Sequence, residues 1–182
     1  MPRHRRTASR SARDHRLAVG IIGDSHVNRI RNSLSTLNED LGFNISIRAR
    51  GGAGILNPPC SPRSVNCDLA LVVLGGNNLS KPLGATPEEL ATKLYSKFKG
   101  VGKVVVFCSV WNRLDIDTFD RKHFNRKLQQ LCDDHGQGVM YHRMDRKLNS
   151  KLRADGVHLT PVGEHELIMN IRRAINRGLE SL

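Results

Sequence analysis

Apolar residues along the chain fall into short runs separated by longer segments of helical period. The runs are LAVGIIG (17–23), FNISIR (43–48), DLALVVLG (68–75), KVVVFCSV (103–110) and GVMYHR (138–143), five candidate strands. Helices are predicted between and after them: from about Val27 to Leu41, over TPEELATKLYSKFKG (86–100), from about Asp120 to His135, and from Thr160 to Leu179. Strands alternating with helices predict an α/β fold with a parallel sheet covered on both faces. The near-continuous Val, Ile and Leu runs suit strands buried on two sides. Thr86, with Glu89 three positions later and Pro87 at the first helical position, reads as a capping box, and Asp120 is expected to open its helix in the same way.

Open sheets of this class bind ligands beyond the carboxyl ends of their strands. That rule directs attention to residues 23–26, 49–59, 75–81, 110–118 and 144–160. A chain of 182 residues fits one domain, and no apolar run approaches the roughly 18 residues of a membrane helix.

Charge adds a second region. Residues 1–16, MPRHRRTASRSARDHR, hold six arginines against one aspartate and supply +5 of the formal +12, leaving +7 on residues 17–182. So polar a stretch cannot bury enough surface to order itself. It is expected to be a basic disordered arm preceding the folded domain, and three readings stay open for it: a contact for nucleic acid or a nuclear signal, a transit-peptide-like composition, or a solvated end without a specific partner. Cys60, Cys67, Cys108 and Cys132 form neither a C-x-x-C pair nor a Cys/His group, so no zinc site and no other cofactor is predicted. Without a secretory leader, free thiols and an intracellular location, cytoplasmic or nuclear, are expected.

The chemistry sits in four loops. Gly23-Asp24-Ser25-His26 follows the first strand and puts the Ser25 hydroxyl and N–H at a helix start, where developing negative charge is stabilised; Asp and Ser are equally ordinary helix caps. His26 is a poor base for Ser25, because adjacent side chains on a helix diverge by about 100°. Asp155 and His158, three apart in RADGVHLTPVGEHEL (153–167), have the spacing for a carboxylate to reach one imidazole nitrogen, although Asp155-Gly156 also reads as a plain turn. RGGAG (50–54) and GGNN (75–78) supply backbone N–H groups and amide side chains of the kind an oxyanion needs, and both read as turns when taken alone. Trp111, Asn112 and Arg113 could line a substrate pocket, with packing an equal reading for Trp111.

Taken in order, one motif per strand end, GDSH, RGGAG, GGNN and DGVH resemble the blocks of the SGNH, or GDSL-type, hydrolases over nearly all of residues 17–182. The resemblance implies a three-layer α/β/α sandwich with a flavodoxin-like five-stranded parallel sheet of order 2-1-3-4-5. It implies Ser25 as nucleophile and oxyanion donor, Asp155 and His158 as its charge partner and base, and Asn77 as a further donor. The block-two glycine becomes Gly54, with Gly52 as the alternative register. One departure is Asn78, where the family usually has aspartate; another is His26 after the serine.

The function that follows is hydrolysis of an acetyl or short acyl ester of a small molecule, glycan or lipid. A second reading is a binding module for nucleic acid or protein on the same scaffold, since SGNH-like domains also occur in the first open reading frame of some animal LINE retrotransposons. A third, a nucleotide binder, lacks any G-x-G-x-x-G or Walker pattern.

Overall fold

Five parallel strands form one sheet in the order β2-β1-β3-β4-β5, as the resemblance implied. The computed structural model describes residues 16–81 and 84–182, so the arm expected over residues 1–16 lies, apart from Arg16, outside the described residues. The strands are β1 (Ala18–Gly23), β2 (Asn44–Ala49), β3 (Cys67–Val73), β4 (Gly102–Cys108) and β5 (Val139–His142). The helices are α1 (Ser25–Arg29), α2 (Arg31–Leu41), α3 (Gly76–Leu79), α4 (Pro87–Phe98), α5 (Thr118–His135), α6 (Asp145–Leu148) and α7 (Pro161–Leu179).

Alternating side chains of the central strands divide the interior into two cores. On one face Val19, Ile21, Leu69, Leu71, Val104 and Val106 pack against α1, α2 and α7. On the other, Ile22, Ala70, Val72, Val105 and Phe107 pack against α4 and α5. The result is a three-layer α/β/α sandwich. β2, at the edge, departs from the doubly buried expectation, since Asn44, Ser46 and Arg48 face outward between half-buried neighbours. The Arg31 guanidinium donates to the carbonyls of Ile47 (3.0 Å) and Ala49 (2.8 Å), covering part of that open edge.

Two helix expectations need correction. The segment from Val27 to Leu41 is two helices rather than one, because α1 ends at Ile30, whose N–H turns back to the Asn28 carbonyl. α5 starts earlier than Asp120: Asp117 is its cap and accepts from the N–H groups of Phe119 (2.7 Å) and Asp120 (3.0 Å), so Asp120 lies within the first turn. The capping box of Thr86 and Glu89 forms as expected. All four cysteines are free thiols, and among the described residues no helix is long and apolar enough to cross a membrane.

Candidate active site

Four of the five carboxyl-terminal strand ends deliver polar side chains to one edge of the sheet. After β1, Asp24 caps α1 by accepting the His26 N–H on Oδ1 at 2.9 Å. Ser25 is thereby the first residue of the helix, half-buried, with its N–H in the turn that has no intrahelical acceptor. Its Oγ has no hydrogen-bond partner among the described residues.

Asp155 and His158 meet directly. Asp155 Oδ2 lies 2.8 Å from His158 Nδ1, while its Oδ1 accepts from the N–H groups of Val157 and His158, each at 2.9 Å. These bonds hold the Asp155 carboxyl well below the usual carboxylate range, the His158 N–H contributing most. A hydrogen bond to Nδ1 leaves Nε2 as the nitrogen free to take a proton. The loop is anchored by the N–H of Arg153 on the His158 carbonyl (2.7 Å), and the Leu114 N–H on the Gly156 carbonyl (2.8 Å) joins it to the loop after β4.

His158 reaches the start of α1 through His26. Their ring centroids are 5.7 Å apart, and the other side of the cage is Trp111, edge-on to His26 at 4.9 Å. His26 is buried, and among the described residues neither its Nε2 nor Trp111 Nε1 has a hydrogen-bond partner. Burial first, then the positive charge of Arg113, push the His26 pKa down to about 3, so its ring is neutral. Burial pushes the Asp24 carboxyl up to about 6 against the opposing pull of the His26 N–H and the Arg113 charge.

Asn77 stands at the start of α3 with its amide orientation set from both ends. Its Nδ2 donates to the Ala53 carbonyl at 2.8 Å, and its Oδ1 accepts from Arg113 Nη1 at 3.3 Å. Nδ2 carries two hydrogens, so one N–H is left for a ligand. Arg113 is itself buried and bound in a fork to Asp115, at 2.9 and 2.5 Å. Sequence reading left Arg113 outside the site, and its only local signal was the aspartate two residues on.

Gly54 is tied differently from the expectation. Its N–H donates to the Asn57 carbonyl at 3.1 Å rather than pointing free, and a Cβ at this position would collide with Asn78 Oδ1. Asn78 Oδ1 accepts the Ile55 N–H at 2.6 Å, the acceptor role that an aspartate there would also fill. Gly52, the alternative register, is exposed with φ of 71° in the left-handed region.

The structure therefore joins Asp155 to His158, brings His158 against the residue after Ser25, and fixes the Asn77 amide. Among the described residues no group of His, Cys, Asp and Glu is arranged to hold a metal.

The sheet order and the helices on its two faces define a three-layer α/β/α fold. No protein-family model matches the chain, and no curated protein matches it in sequence. Solved structures do match. A catalytic mutant of Axe2, an acetylxylan esterase from Geobacillus stearothermophilus, aligns with a TM-score of 0.66 at 14% identity over 87% of this chain and 94% of that one. TesA aligns with a TM-score of 0.67 at 15% identity, over 88% and 98%. A carbohydrate esterase family 3 protein from Talaromyces cellulolyticus aligns at 0.65 and 14% identity, over 91% and 99%. At such identities the likeness is one of fold.

Proposed function

We propose that the protein is a serine esterase that hydrolyses an acetyl or short acyl ester. The observation that carries this reading is the Asp155–His158 pair, bonded at 2.8 Å and presented beside the helix start that bears Ser25. In the reaction Ser25 Oγ attacks the ester carbonyl carbon as His158 Nε2 takes its proton. Asp155 holds the imidazole in the required tautomer and stabilises the imidazolium. The oxyanion accepts from the Ser25 N–H and the free N–H of Asn77, each such donor contributing about 3 kcal/mol. Gly54 would serve as a third donor only on releasing Asn57. His158 returns its proton to the departing alcohol, and water, deprotonated by His158, hydrolyses the acyl-enzyme to the acid.

A short acyl group is favoured by how little space lies at the foot of the site: the cavity lined by Asp24, His26, Trp111 and Arg113 amounts to about 10 Å³, room for roughly one water. Two of the structural neighbours carry carbohydrate-esterase names, which makes an acetylated sugar hydroxyl the first substrate to test.

The experiment is exposure of the folded protein to a fluorophosphonate probe, with the labelled residue mapped. Labelling at Ser25 that disappears in His158→Ala, with matching loss of p-nitrophenyl acetate hydrolysis, is the expected result. A folded chain that stays unlabelled rejects the esterase. It turns attention to a binding module, which the net +12 charge favours and which salt-dependent binding of an oligonucleotide would reveal.

A further inference from the structure

Away from the candidate active site, α5 and the turn from β5 into α6 enclose a second pocket of about 180 Å³. Arg121, Lys122 and Arg126 reach it from α5, and Arg143 from just past β5; the amides of Asn125 and Gln129, Tyr141 and one carboxylate, Asp145, complete the polar wall. Four cations thus face a single anion. The pocket opens beside β5, three strand positions from β1, about 14 Å at roughly 4.8 Å per strand, so it is separate from Ser25.

The one carboxylate is divided between two guanidiniums. Arg143 donates to it from Nε at 2.8 Å and from Nη2 at 3.3 Å. Arg121 comes only to 3.7 Å of Oδ2, an ion-pair distance without a hydrogen bond. Arg121 is nevertheless 6% exposed, and its buried Nε has no hydrogen-bond partner among the described residues. A guanidinium removed from water to this extent costs stability unless it is paired and bonded. The pocket wall lacks a second anion with several acceptor oxygens, which is the chemistry of phosphate, and arginine forks match phosphate oxygens two at a time.

We propose that this pocket is a phosphate-binding site, in which Arg121, Arg126 and Arg143 engage the oxygens of a phosphate group. The proposal does not rest on the esterase reading. The group could arrive as free phosphate or as a phosphodiester of a nucleic-acid strand, and the two sources separate experimentally.

In the full chain, labelled with ¹⁵N-arginine, the Nε–H signals of Arg121 and Arg143 are followed during titration with sodium phosphate, and again with a single-stranded oligonucleotide. Sodium chloride at matched ionic strength is the control. Saturable shifts of these two signals with phosphate establish a site for the free anion; saturable shifts with the oligonucleotide alone establish a phosphodiester site. Signals that stay still in both titrations, or move equally in chloride, overturn the proposal.

Arg121→Gln puts folding at risk, so the exposed residues carry the second arm. Arg126→Gln with Arg143→Gln is expected to weaken binding of whichever probe shifts the signals by at least about tenfold. That figure corresponds to about 1.4 kcal/mol, the low end for losing charged hydrogen bonds. Arg63→Gln with Lys93→Gln removes the same charge elsewhere on the exposed surface and is expected to change binding by less than about twofold, since general charge acts weakly at a distance. Equal losses in the two double variants also overturn the site.

Discussion

The imidazole of His26 lies against that of His158, ring centroids 5.7 Å apart and planes inclined by 45°. The residue beside Ser25 in sequence therefore packs against His158, the residue proposed as base. Its ring is neutral and wedged between His158 and Trp111, so its contribution is shape. His26→Phe keeps that shape and is expected to retain most activity. His26→Ala opens a gap beside His158 and, with His158 as the proposed base, is expected to lower kcat by roughly ten- to a hundredfold with little change in KM, the usual cost of a misplaced catalytic group. Steady-state kinetics on p-nitrophenyl acetate decide it; a phenylalanine variant as slow as the alanine one would mean that the His26 nitrogens take part.

Acid should destabilise the protein through His26 while Asp24 opposes the effect. His26 titrates near 3 when folded and 6.5 when unfolded, so the unfolded chain takes up the proton first and stability falls as pH drops from about 6.5 towards 3. Asp24 titrates near 6 when folded and 3.8 when unfolded, so the native state takes up that proton first and its share of stability grows as pH falls from about 6 to 4. At roughly 1.4 kcal/mol per pH unit of separation the upper limits are about 5 and 3 kcal/mol. Urea unfolding at pH 7, 5 and 4 should show a flatter acid profile for His26→Phe and a steeper one for Asp24→Asn. Three parallel profiles would show that neither buried group titrates this way.

Asp155→Asn isolates the role of the carboxylate. The amide keeps an oxygen for the N–H groups of Val157 and His158 but presents a donor or a neutral acceptor to Nδ1, which no longer holds the tautomer. Activity is expected to fall by about 10³- to 10⁴-fold. The melting temperature should hardly move, because Asp155 is half exposed. Activity retained within tenfold would leave His158 working without Asp155.

Alanine substitutions should separate the two glycines of the second loop. At Gly54 the new methyl meets Asn78 Oδ1 and displaces its bond to the Ile55 N–H, an overpacking that costs roughly 1–3 kcal/mol and disturbs Asn77 next door. At Gly52 there is open space, and the cost is only the left-handed backbone, about 1–2 kcal/mol. Thermal unfolding with fluorophosphonate labelling reads both, and the expected order is greater loss of labelling for Gly54→Ala. Equal labelling in the two variants would detach Gly54 from the site.

Features set by neighbours in sequence were legible in it. Apolar runs marked the central strands β1, β3 and β4 because strands inside a covered parallel sheet are buried on both sides, while edge strand β2 shows only alternating apolar positions; the capping box at Thr86 and Glu89 is a bond within one turn. The Asp155–His158 bond is equally local, closed within a four-residue turn. The α5 start was misplaced because Asp117 and Asp120 are both competent caps, and which one is used depends on how the chain leaves β4.

Patterning by itself determined a parallel sheet with helices on both faces, and the resemblance carried by the ordered motifs supplied its strand order and the candidate residues at its edge. Only the tertiary structure decided that His26 is buried against His158, that Arg113 fixes the Asn77 amide, that the Gly54 N–H is held by Asn57, and that Arg121 and Arg143 share one carboxylate. The physical reason is distance along the chain: a cap or a turn involves bonds that neighbours make in almost any fold. The environment of a buried ring or guanidinium is set instead by which strand ends come to lie side by side.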